Sequence, residues 1–88
     1  MTRNNEKSKA PPPPSFFHVE VDRISGGIAV LVSGVRAIRE LTDTTALLRL
    51  KGGAIRVSGR SIAVTVYESR TVEVIGGVTC IEIENDKA

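Results

Sequence analysis

The chain of 88 residues has no tryptophan, one tyrosine, two phenylalanines, one cysteine and one histidine. Each scarcity excludes something. With Cys80 alone, an internal disulfide and a multi-cysteine metal site are both impossible, and the usage suits a reducing compartment. No apolar run approaches the roughly 18 residues that span a bilayer. The basic N-terminus is not followed by an apolar stretch, so no signal peptide is expected. The expected location is cytoplasmic. No GxxxxGK[ST] motif occurs, and "SGGIAV" lacks the strand-to-helix context of a phosphate-binding loop.

What is present is β-branched. Eleven Val and eight Ile dominate an apolar content of 41%. Such side chains are stiff at χ1 and favour strands. A core of Val and Ile without large aromatics buries little area per residue, and a lone domain of this size is marginal. Self-association as a homo-oligomer is therefore expected.

Residues 1–15, "MTRNNEKSKAPPPPS", are polar and proline-rich, and are expected to be a disordered tail. The domain is expected over 16–88. The net charge of +2 belongs to the tail, because residues 16–88 carry nine basic and nine acidic side chains. Within the body, Gly34–Arg60 holds Arg36, Arg39, Arg49, Lys51, Arg56 and Arg60 against Glu40 and Asp43, a balance of +4. Ser61–Ala88 holds Arg70 and Lys87 against Glu68, Glu73, Glu82, Glu84 and Asp86, a balance of −3. Either these halves neutralise one another within one sheet, or they form opposed faces through which copies dock.

The dominant period is two. Ile62, Val64 and Val66 alternate with Ser61, Ala63 and Thr65; Val72 and Val74 alternate with Thr71 and Glu73; Ile55 and Val57 alternate with Arg56 and Ser58. This is the pattern of strands with one face on a core. Ile28 to Val32 is apolar on both faces, which suits a central or an interface strand. Gly52-Gly53 is expected to form a two-residue hairpin turn. Gly34, Gly59 and Gly76 interrupt apolar runs with no polar loop around them, and are expected to mark bulges or bends between layers. In 35–51, Ile38, Leu41, Thr45 and Leu48 have helical spacing, but Thr42, Thr44 and Thr45 around Asp43 are weak helix formers. Two strands, 35–41 and 46–51, joined by a turn at 42–45, are expected instead. The fold class is all-β: a small sandwich or open barrel of six to eight short, bent, antiparallel strands.

The run "SGVRAIRELTDTTALLRLKGGAIRVSGRSIAVTVYESRTVEVIGGVTCIEIE" resembles the YabP/YqfC family of small sporulation proteins. The resemblance covers about Ile28 to Glu84 and lies in "LL-x-L", then "I-x-V-x-G-x-x-I-x-V", then "V-x-V-x-G-x-V-x-x-I-x-I". The turn Thr42-Asp43-Thr44-Thr45 is less acidic than the family tends to be, and the proline-rich start is not a family feature. The resemblance implies a non-enzymatic assembly or scaffold factor of the spore envelope. It would act in the mother cell through protein–protein contacts, with a spore membrane protein as a possible partner. It brings no catalytic residues.

The residues themselves offer little chemistry. His18 has Glu20 two positions on, but stands at the start of the domain, where a solvated histidine is expected. Cys80, in register with Val78 and Glu82, is expected to be a small buried apolar residue. Glu73, Glu82 and Glu84 form the only local acidic cluster and are expected on an outer face. No catalytic, metal or cofactor-binding residue is expected, and no cofactor. The alternative function is a small basic β-barrel binding single-stranded nucleic acid, supported by the arginines but short of aromatics for base stacking beyond Phe16, Phe17 and Tyr67. A third is a small-ligand binder using the β core. The expected interface residues are Ile28, Val30, Val32, Val72 and Val74, on the strand 28–32 and on an edge near 71–75.

Overall fold

The computed structural model describes residues 17–86. The disorder expected for residues 1–15 lies outside them. Six antiparallel strands follow one another: β1 (His18–Ile24), β2 (Gly27–Ser33), β3 (Val35–Leu41), β4 (Thr45–Leu50), β5 (Gly53–Tyr67) and β6 (Thr71–Asn85). They form one sheet in the order β1-β2-β6-β5-β4-β3. The all-β expectation holds, and residues 35–50 are two strands rather than a helix. The turn between them is held by Thr42, whose Oγ1 accepts the amides of Thr44 and Thr45 at 3.1 and 3.0 Å.

The sheet is folded on itself because β5 and β6 both bend. Pairing runs from Gly53↔Asn85 to Ser58↔Cys80, shifts at Gly59↔Val78, shifts again beyond Arg60↔Gly77, and resumes from Ala63↔Ile75 to Tyr67↔Thr71. Thr79 is one extra residue on β6. Ser61 and Ile62 together face Gly76, so β5 also carries one extra residue there. Such bulges bend and twist a ladder. The glycines make the bend possible. A Cβ on Gly59 would overlap the Gly77 carbonyl oxygen and lie 2.7 Å from the Val78 Cα. A Cβ on Gly76, where φ is +150°, would lie 2.7 Å from the Ser61 carbonyl oxygen and 2.8 Å from the Ile62 Cα. The amides that the bend frees are satisfied by the β3–β4 turn: Gly59 donates to the Thr44 carbonyl and Ile62 to the Asp43 carbonyl, both at 2.9 Å.

The bend divides the sheet into two layers. One holds β1, β2, the first half of β6 and the second half of β5. The other holds the second half of β6, the first half of β5, β4 and β3. Gly34, with φ +90°, carries the chain from β2 in one layer to β3 in the other. The crossing is pinned by the Arg70 carbonyl, which accepts the amides of Gly34 and Val35 at 3.1 and 3.0 Å. Between the layers Val30, Val32, Val72 and Val74 pack with Ala46, Leu48, Leu50, Ile55 and Val57. Among the described residues no buried side chain is polar or charged.

Two expectations need correction here. The β4–β5 turn is Lys51-Gly52, not Gly52-Gly53, since Leu50 pairs with Gly53. Gly52 takes the positive φ, while Gly53 is already in the strand, where a Cβ would overlap the Glu84 carbonyl oxygen. The proposed interface side chains are core: Val30, Val32, Val72 and Val74 are buried, and Ile28 packs against them half-buried. The segment 71–75 is not an edge either, because β2 and β5 flank it on both sides.

Candidate interaction edges

A strand buried on both sides has both rows of backbone groups paired, whereas an edge strand leaves one row free and can template another chain. The bend gives this protein four edges instead of two. Besides β1 and β3, among the described residues no strand pairs with the outer side of β5 from Ala63 onward or with the outer side of β6 beyond the bend.

The edges differ in chemistry. β3 is irregular. Val35↔Leu50 is followed by Ala37↔Arg49, and Ile38↔Leu48 by Glu40↔Leu47, so Arg36 and Arg39 are each an extra, unpaired residue. Both arginines are exposed. A bulge carrying a charge is an effective block to edge pairing. β1 is regular but carries His18, Glu20, Asp22 and Arg23, all exposed. Beyond its bend, β6 presents Glu82 and Glu84 on the outer face and Ile81 and Ile83 on the core face, with Ile83 55% exposed. Beyond its bend, β5 reads Ser61-Ile62-Ala63-Val64-Thr65-Val66-Tyr67, without a charge. Ala63, Thr65, Val66 and Tyr67 are exposed there, Val66 at 63%. Val66 and Ile83 point to the core side of their layers but lie past the reach of the opposite layer.

In the second layer, basic and acidic side chains meet on the same face. Arg56 faces Glu82 across the β5–β6 ladder, with Nε 3.7 Å from Oε1, and Arg49 Nη2 lies 3.5 Å from Asp86 Oδ2. These exposed pairs contribute little stability, but they join the basic half of the sequence to the acidic half inside one layer. Lys51 sits in the β4–β5 turn and Arg60 at the bend. Of the aromatics, Phe17 packs against the core, Phe16 lies outside the described residues, and Tyr67 is on the outer face. The Tyr67 hydroxyl donates to Glu73 Oε1 at 2.8 Å. That bond, together with the neighbouring negative charge, raises the phenol above its ordinary pKa.

His18 is exposed and its Nε2 lies 3.1 Å from Glu20 Oε2, also exposed. Cys80 is exposed, which corrects the buried position expected for it. The reason is the extra residue Thr79, which breaks the alternation between Val78 and Cys80. Val78 turns into the core, and Cys80 faces outward opposite Ser58. The Thr79 hydroxyl donates to the Ser58 carbonyl at 3.3 Å. Among the described residues no three His, Cys, Asp or Glu side chains converge as metal ligands, and no helix is long and apolar enough to cross a membrane.

Compared with protein-family models, with curated proteins and with solved structures, the chain matches none.

Proposed function

We propose that this chain is a non-enzymatic assembly factor that acts through protein–protein contacts at its open sheet edges. One observation carries the reading. The two central strands each leave half their length with a single neighbour, and apolar side chains, Val66 and Ile83, are exposed beside those free backbone rows. Such edges recruit a further strand, whose main-chain hydrogen bonds give affinity and whose alternate side chains give specificity. The resemblance to the YabP/YqfC sporulation proteins supplies the setting: assembly of the spore envelope from the cytoplasm of the mother cell, with further copies of the chain and a spore membrane protein as partners.

The competing reading, binding of single-stranded nucleic acid, rests on the arginines and is separated by experiment. An assembly factor elutes from a single-stranded DNA column at or below about physiological salt, because it lacks the phosphate contacts that hold a binder there. In an endospore-forming host, deleting the gene gives spores with a defective envelope while vegetative growth is unchanged. Retention on the column that falls steeply with salt, together with normal spores, overturns the proposal.

A further inference from the structure

Resting on that assembly reading, we infer that the charge-free edge of β5 is a self-pairing surface. Residues Ala63–Tyr67 join antiparallel to the same residues of a second copy, about a two-fold axis at Thr65.

The choice among the four edges follows from what each would meet in a copy of itself. A two-fold axis perpendicular to the sheet sets residues of the same face opposite one another. On β6, registers centred on Ile81, Glu82 or Ile83 bring Glu82 and Glu84 of both copies onto one narrow strip of the outer face. Like charges opposed across strands are destabilising. On β3, the extra residues Arg36 and Arg39 break the regular row of backbone groups, and on β1 four of seven side chains are titratable or charged. The β5 edge carries none of these obstacles. With Thr65 on the axis, Thr65 meets Thr65 and Ala63 meets Tyr67 on the outer face, while Val64 meets Val66 on the core face. Thr–Thr pairs and pairs of β-branched side chains are favourable cross-strand neighbours.

Two further features fit. The pairing covers Val66, which the monomer leaves 63% exposed. The edge is free from Ala63 onward: the bend at Arg60–Ile62 takes the preceding chain into the other layer, and the β3–β4 turn reaches only Ile62, whose amide donates to the Asp43 carbonyl. The result is one continuous sheet across the dimer, four strands from each copy, in the order β1-β2-β6-β5 and then β5-β6-β2-β1. The added ladder enlarges the contiguous apolar face, which answers the marginal size of a Val/Ile core in a chain this short.

The test measures the mass of the full chain by analytical ultracentrifugation at high concentration. The wild type sediments as two chains. Thr65→Lys, which places like charges on the axis, sediments as one, with its circular dichroism retained because the new ammonium neighbours Glu73 across the β5–β6 ladder. In a second variant, Thr65→Cys with Cys80→Ser, mild oxidation links two chains. The opposed positions of an antiparallel pair are close enough for this, about 4.5–5.5 Å between Cα atoms. A Thr65→Lys chain that still sediments as two copies, or a wild type that cross-links through Cys80 while the Thr65→Cys variant does not, overturns the β5 edge but leaves assembly through another edge standing. A wild type that stays a single chain overturns self-pairing, and the assembly reading is then decided by the spore phenotype alone.

Discussion

Strand β3 and the second half of β5 are both edges, yet they are opposite in character. β3 spends two of its seven positions, Arg36 and Arg39, on bulged charges that deny a neighbour a regular ladder. The second half of β5 keeps a regular register from Ala63 to Tyr67 and carries no charge at all. An exposed edge with high β propensity and no guard is an aggregation hazard unless something covers it. The comparison teaches that the protein can block an edge and does so at one end of its sheet, so the unblocked edge reads as a contact surface.

The bend that creates the β5 edge is the point where the comparison breaks most severely. Gly59→Val forces a branched side chain into the Gly77–Val78 backbone and should cost about 3 kcal/mol, seen as a large loss in urea midpoint, with the edges no longer formed as described. Next come paired truncations. Leu48→Ala, in the fully buried core, should cost about 2–5 kcal/mol. Val66→Ala, on the open edge, should change the unfolding free energy of the dilute chain by no more than about 0.5 kcal/mol. Equal losses at both sites would mean that the β5 edge is covered within the monomer. Removing the guards sharpens the contrast from the other side. Arg36→Thr with Arg39→Thr should leave the thermal melt nearly unchanged but raise the sedimented mass beyond two copies, as β3 becomes pairable. An unchanged mass would show that the bulges block β3 without the charges.

The smallest effect concerns the single tyrosine. Glu73 holds the Tyr67 phenol in its protonated form. A group whose pKa is higher in the folded than in the unfolded state adds stability in full below the unfolded value, about 10, and loses it as pH rises through the folded value. Ultraviolet titration should therefore place Tyr67 above its ordinary pKa in the wild type and return it toward that value in Glu73→Ala. Identical curves would remove the bond.

Two irregularities in the alternation of the sequence share one cause. Ile38 and Leu41 show helical spacing because β3 carries an extra residue after Val35 and another after Ile38, which turns a period of two into a period of three on the core face. Cys80 was expected inside for the same reason in reverse, since Thr79 shifts the alternation by one. Val30, Val32, Val72 and Val74 were legible as apolar strand residues, but alternation does not distinguish a core from an interface. The Gly52-Gly53 turn was misplaced by one residue because two adjacent glycines serve different needs, one a positive φ and the other a close backbone approach.

Composition and period-two alternation alone determined that this chain is a sheet, with two strands rather than a helix in 35–51 and with Gly34, Gly59 and Gly76 as breaks between apolar runs. Those are local properties, set by side-chain branching and, at Gly34 and Gly76, by backbone angles that glycine takes readily, whereas Gly59 answers the close approach of the Gly77–Val78 backbone. Only the tertiary structure decided which half-strands are left without a neighbour. An edge is defined by the absence of a pairing partner distant in the chain, and the bulges at Arg36, Arg39, Ser61–Ile62 and Thr79 that set those pairings appear only in the register between strands.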